Sequence, residues 1–355
     1  MRVSAWLYSL YKSLVRYEKR PKNIGYTCYR DHGDTIAVKD MLSKEEGYIC
    51  DVETQGINDM VAFQWKKDGS PIHRIRIHHK KFGRGHEKKT RKMVEDVGLL
   101  LQMMYTNGGS TNRDEIEIDI VLSGSKKRAR SPGVVGPCQV NSGVTYTYPD
   151  GMSHIVVYRE EEYKKVLIHE LLHTMMPIET EESCNMHEAY TESVAITLNT
   201  VCSIVRDNPG LTEGRFCEVM KDRLIRDRKH IEGIVKKGFI HSLFDTNSMY
   251  CKSKKTNTYA YYLGKLYMLQ GIEGGVNRMV LWDCFRKTSG ASGLLNKKES
   301  VYSIVREPIQ TPTDMYRIKQ EIDGKVSKDV MKHGASNRRT FPKNGIDMRM
   351  TTVRW

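Results

Sequence analysis

Apolar residues recur at helical spacing in the first nineteen positions, where Trp6, Leu7, Leu10, Tyr11, Leu14 and Val15 interleave with Lys12, Arg16 and Lys19. An amphipathic helix docked on the fold is expected there, because the run is too broken by charge for a secretory signal. From Pro21 to Gly56 no period emerges. The pattern then becomes strand-like. Val61, Phe63 and Trp65 alternate with their neighbours, as do Ile75 and Ile77 with Arg74 and Arg76, and Lys67-Asp68-Gly69-Ser70 between them reads as a hairpin turn. Met93, Val94, Val97, Leu100, Leu101 and Met104 predict a helix over Lys88 to Tyr105, which ends at Asn107-Gly108-Gly109-Ser110.

Beyond that break, Ile116, Ile118, Ile120 and Leu122 alternate with Glu117 and Asp119 as a clear strand, and His154 to Arg159 reads as a second, short one. Val166, Leu167, Leu171, Leu172 and Met175 then form a helical stripe, led in by Glu160, Glu161 and Glu162 and stopped by Pro177. A further helix over Ser183 to Val205 has Val194, Ile196, Leu198, Val201 and Val205 as its core face. Another charge-rich helix spans Thr212 to Lys237, one more is expected over Val276 to Arg286, and a basic tail from Lys332 to Trp355 is expected to be flexible or partner-bound.

The chemistry is concentrated in the helix that Pro177 ends. His169-Glu170-Leu171-Leu172-His173 is an HExxH pattern, and on a helix its two histidines project from one face, one turn apart. Two neutral imidazoles so held can grip one zinc ion, while Glu170 can take a proton from a metal-bound water. A structural site has no use for that glutamate. A catalytic zinc needs a third protein ligand, and Glu188 and Glu192 stand one turn apart on the following helix.

With these residues the chain resembles the gluzincin metallopeptidases, zincins with HExxH and a downstream glutamate. The eighteen residues between His173 and Glu192, and the run Glu192-Ser193-Val194-Ala195, are similar to the Glu-Gly-x-Ala of the aminopeptidase branch. Alternatively, Glu188-Ala189-Tyr190-Thr191-Glu192 resembles the thermolysin-type Glu-x-x-x-Asp, in which the first acid binds zinc and the second braces a ligand histidine. Loop length favours Glu192 as ligand, and each frame departs from its pattern by one residue: Ser193 for Gly, or Glu192 for Asp. The resemblance implies an α+β fold with a zincin-like core, a mixed sheet packed on the HExxH helix and the glutamate helix. It also implies a peptide or protein substrate, a strand at His154 to Arg159 forming the sheet edge for it, and a downstream tyrosine steadying the oxyanion, with Tyr262 or Tyr259 in view. Asn141 to Asn199, with Arg159, Glu161-Glu162 and Lys165-Val166 ahead of His169-Glu170, is also similar to uncharacterised predicted metallopeptidases of large DNA viruses, which have no established substrate.

Composition narrows the picture. With 355 residues, three regions are expected: a basic α/β region over 1–110, a zincin-like catalytic domain over 111–272, and a helical C-terminal region with the basic tail over 273–355. Eight scattered cysteines without a Cys-x-x-Cys pair favour reduced thiols in a cytosol-like compartment, which for a viral protein means host cytoplasm or virion. No run is apolar enough for a membrane span. The net charge is +14, and between Gln64 and Lys92 eleven Lys/Arg face two acids. That stretch, with Arg74, Arg76, Lys80, Lys81 and Arg84, is the candidate contact for nucleic acid or another acidic partner. It supports the alternative function, a basic nucleic-acid-binding or capsid-associated protein that keeps a zincin scaffold without proteolysis. The sequence leaves the oligomeric state open.

Overall fold

In the computed structural model the described residues are 3–19, 38, 56–66, 72–80, 84–106, 115–124, 126–129, 141–149, 151–175, 186–240, 262, 265, 269, 346–349 and 351–352. The turn at 67–70, the break at 107–110, Tyr259, the helix expected over Val276 to Arg286 and most of the basic tail lie outside them, as does almost all of Pro21 to Gly56.

The described residues form a mixed α/β fold of five helices on a five-stranded sheet, compatible with the α+β class. The strands are β1 (Asp59–Lys66), β2 (Ile72–His79), β3 (Ile116–Val121), β5 (Gly143–Thr147) and β6 (Ser153–Val157), and their spatial order is β1-β2-β3-β6-β5. Parallel pairing joins β2, β3 and β6, while β1 and β5 run antiparallel at the two edges. Two-residue strands β4 (Arg128–Ala129) and β7 (Ile346–Asp347) pair separately. The helices are α1 (Val3–Glu18), α2 (Arg84–Thr106), α3 (Tyr163–Met175), α4 (Met186–Asp207) and α5 (Glu213–Ile240).

Period-two alternation sends Ile75, Ile77, Ile116, Ile118, Ile120, Ile155 and Val157 into one core shared with all five helices. Helix α1 docks there as its stripe requires, burying Leu7, Leu10, Tyr11, Leu14 and Val15. The Tyr11 hydroxyl donates to the carbonyl of Asn208 and accepts from the Leu211 amide at 3.0 Å, capping the turn between α4 and α5.

The opposite face of the sheet is buried too, around Val121, Val156 and Tyr158 with Val38 and Ile57. Asp119 points into it and is fully buried, whereas simple alternation leaves it among the polar positions. It keeps its charge by position: Arg76 Nε and Nη2 lie 2.9 and 2.8 Å from its two oxygens, and the Nε2 atoms of His78 and His154 each lie 2.5 Å away. Burial alone would raise this carboxyl's pKa, but the two histidines and Arg76 outweigh it and hold the group far below the ordinary aspartate range.

Two expected boundaries are corrected by these pairings. The division at 110 falls inside one sheet, because β2 pairs with β3 along five registered residues. The chain end at 346–352 is also part of the body, not a free tail. There β7 pairs with β4, the hydroxyls of Thr351 and Thr352 donate to Asp227, and Met348 is buried. Backbone hydrogen bonds and a buried carboxylate decide this, and neither leaves a periodic mark in sequence.

Candidate metal centre

Helix α3 is buried nearly all round, so its polar residues must be met by partners. They are met by α4, which runs antiparallel beside it. Lys165, His169 and His173 stand one turn apart on α3, Glu192 and Glu188 one turn apart on α4, and the two rows interlock as alternating bases and acids. Lys165 Nζ lies 2.6 Å from Glu192 Oε1, and Glu192 Oε2 lies 2.9 Å from His169 Nδ1. His169 Nε2 is 3.2 Å from Glu188 Oε2, and His173 Nε2 is 3.6 Å from Glu188 Oε1. Side-chain exposure rises along this ladder from 3% at Lys165 to 21% at His173 and 45% at Glu188, so the ladder opens to solvent at its Glu188 end.

The Nε2 atoms of His169 and His173 are 3.0 Å apart, their rings edge to face. Those two nitrogens and a Glu188 oxygen form a group in which every donor atom lies within 4.8 Å of the others. Four donors at zinc bonding length around a tetrahedron are about 3.3 Å apart along each edge. The two nitrogens are 3.0 Å apart, and each has its own nearest Glu188 oxygen, Oε2 at 3.2 Å for His169 and Oε1 at 3.6 Å for His173. His169, His173 and Glu188 are thus a group that could hold a metal ion.

Of the two candidate carboxylates, it is Glu188 that joins the imidazole Nε2 atoms. Glu192, which loop length favoured, sits behind His169 on its Nδ1 side, fully buried between that ring and two lysines, Lys165 and the more distant Lys265 at 3.6 Å. Burial would raise the Glu192 pKa, but Lys165, Lys265 and His169 more than offset it and keep the group ionised. Burial would likewise lower His169, yet Glu188 and Glu192 reverse this and hold its pKa up at about 10.

Glu170 faces another neighbour. Its side chain is buried against β5, where the Thr145 hydroxyl donates to Oε2 across 2.7 Å. Gly143, two residues earlier on the same face, makes room: a Cβ there would lie 2.9 Å from Glu170 Oε1 and 2.6 Å from Val166 Cγ1. Residues Thr145, Gly143 and Lys165 were in view in the sequence without a role. Only for Lys165 did a positional signal exist, four residues before His169 on the same helical face.

The other expected site residues fall elsewhere. Tyr262 is a core residue whose hydroxyl donates to the Met348 carbonyl at 2.6 Å, a commitment that removes it as an oxyanion donor. The strand at His154 to Arg159 is not the sheet edge: β6 lies between β3 and β5, and the edge beside α3 is β5. Arg76 is spent on Asp119 and Glu117, and Arg74 lies 3.0 and 3.3 Å from Glu115 and Glu117, so acids on and just before the next strand take up the charge of both arginines. Lys80 is exposed, while the side chains of Lys81 and Arg84 lie outside the described residues. Among the described residues no helix is long and apolar enough to cross a membrane.

No family model, curated protein or solved structure matches this chain.

Proposed function

We propose that this protein is a zinc-dependent metallopeptidase with a zincin-like core of the gluzincin type. In this reading His169, His173 and Glu188 hold the metal and Glu170 is the general base. The observation that carries it is the gathering of one donor atom each from His169, His173 and Glu188 within 4.8 Å of one another, with a buried, oriented carboxylate on the residue next to His169.

Zinc, when bound by these three residues, supplies Lewis acidity and lowers the pKa of a coordinated water to about 7. The chain's own residues do the rest. Glu170, held by Thr145, accepts the proton of the attacking water and returns one to the leaving amine. Glu192 faces Nδ1 of His169, which leaves Nε2 free as a ligand. Strand β5 is paired on one side only among the described strands, so an extended peptide added there would run beside the residue that orients Glu170. The buried thiol of Cys202, outside any disulfide, suits a reducing compartment.

Metal analysis of wild type, His173→Ala and Glu170→Gln, together with cleavage of a proteome-derived peptide library, tests this. One zinc per chain is expected in wild type and in Glu170→Gln, and its loss in His173→Ala. Cleavage should fall by at least about 100-fold in Glu170→Gln. Wild-type cleavage rates in that variant would remove the general base and with it the mechanism.

A further inference from the structure

We infer that Lys165 is a positioning residue for the metal-binding face of His169, acting through Glu192; the inference rests on the metal-centre reading above. Its ammonium lies 2.6 Å from Glu192 Oε1, and the other oxygen of the same carboxylate lies 2.9 Å from His169 Nδ1. All three groups sit inside the protein, with side-chain exposures of 3%, 1% and 11%. A carboxylate so deeply buried takes whatever orientation its charged partners impose, because no water competes for its lone pairs.

To serve His169, Glu192 must keep its Oε2 beside Nδ1. A single partner at Nδ1 would leave the carboxylate free to rotate about its last bond. Lys165 supplies the second point of attachment, on the opposite oxygen, and thereby fixes the carboxylate plane. The ring of His169 follows, its Nδ1 edge set against Glu192 and its Nε2 turned to the site shared with His173 and Glu188. Helix geometry makes the arrangement self-registering: Lys165 and His169 are four residues apart on α3 and straddle Glu192 of α4. Lys265 also approaches Glu192 Oε1, but at 3.6 Å, so Lys165 is the closer anchor.

The sign of the effect separates positioning from plain electrostatics. Removing a positive charge near a cation site tightens cation binding by Coulomb attraction alone. Loss of orientation weakens it, by about 10- to 100-fold for groups that support a metal-ligating histidine. The zinc dissociation constant, measured by chelator competition on the full chain, is therefore expected to rise about 10-fold or more in Lys165→Met. It should stay within a few-fold of wild type in Lys165→Arg and rise less in Lys265→Met than in Lys165→Met. The visible absorption of the cobalt-loaded protein should change in Lys165→Met and be restored in Lys165→Arg.

A merely structural lysine would lower the melting temperature of metal-free Lys165→Met and leave the affinity of the folded chain unchanged. Affinity equal to or tighter than wild type overturns the inference and leaves the metal centre standing. A wild-type chain that binds no zinc removes the metal centre, and the inference with it. Should Lys165→Met fail to fold, Lys165→Gln and Lys165→Arg decide: equal affinities in the two refute the role, and a clear deficit in the glutamine variant alone supports it.

Discussion

The Thr145 hydroxyl donates to Glu170 across 2.7 Å, so an edge strand, not the helix that carries the glutamate, sets the direction of its carboxylate. That strand and α3 are separated in the chain only by β6 and a short turn, and their contact is made intimate by Gly143, the position where a side chain would strike both Val166 and Glu170. The proposed general base therefore sits in a clamp with a donor on one residue and an open space on another.

Thr145→Ala should keep its zinc and lose about tenfold in kcat with little change in KM, because the missing hydrogen bond to a charged group orients the base without touching substrate. Thr145→Ser should restore most of the rate. Gly143→Ala should lose stability as well, by about 1–3 kcal/mol, since the new methyl overpacks against Val166. Steady-state kinetics and denaturant melts of the three variants check this, and full activity in Thr145→Ala would show the clamp to be dispensable.

Zinc uptake should release a proton. In the metal-free chain Glu188 and Glu192 hold the His169 pKa at about 10, so at neutral pH the imidazole is protonated and must give up its proton to bind metal. The apparent affinity should rise about tenfold per pH unit between pH 7 and 9 for this one group. Because the folded-state pKa lies above the ordinary 6.5, the charged imidazole stabilises the metal-free fold fully below pH 6.5, and that contribution is lost as pH climbs through about 10. Calorimetry in buffers of different ionisation enthalpy reads the proton directly, and buffer-independent heats would contradict this linkage.

His73 should make the fold acid-sensitive in an earlier window than its carboxylates do. The ring is fully buried between Trp65 and Tyr105, its Nδ1 accepts from the Ile116 amide, and its Nε2 lies 2.7 Å from the Tyr105 hydroxyl. Burial lowers its pKa from 6.5 to about 4. The unfolded chain thus takes up a proton that the folded chain refuses, and stability declines as pH falls from 6.5 to about 4, by about 3 kcal/mol in total. Denaturant midpoints of wild type and His73→Gln across that range check it: the variant should be less stable at pH 7 and flatter between pH 6.5 and 4.

Arg76→Ala should cost about 3 kcal/mol, since it strips two hydrogen bonds from the buried Asp119 carboxylate. Arg74→Ala, at an arginine that is half exposed, should cost well under 1 kcal/mol. Neither change should alter the salt dependence of nucleic-acid retention on a filter, because both guanidinium groups already face acids of the sheet. A lower salt slope in Arg76→Ala would return this arginine to the set of phosphate contacts.

Local patterns in the sequence carried much of the architecture. The stripe of α1, the alternation of β2 and β3, and the helices that became α2, α3, α4 and α5 were each legible, because burying one face imposes a period of 3.6 or 2 on the residues concerned. Less legible were relations between segments. Asp119 looked like one more polar position on an alternating strand until Arg76, His78 and His154 closed around it from neighbouring strands. Tyr262 was a fair candidate by type alone, and its hydroxyl is answered by a carbonyl 86 residues away.

The sequence by itself determined which groups of the proposed metal centre exist: two imidazoles and a glutamate on one helix, and two carboxylates one turn apart on the next, all set by helical spacing. Only the tertiary structure decided their division of labour. Glu188 and Glu192 share a face of α4 and are alike in kind, so nothing local separates them. The antiparallel packing of α4 on α3 brings one to the Nε2 side of the histidines and leaves the other behind His169 with Lys165, and that depends on how two helices dock, which no period in either one encodes.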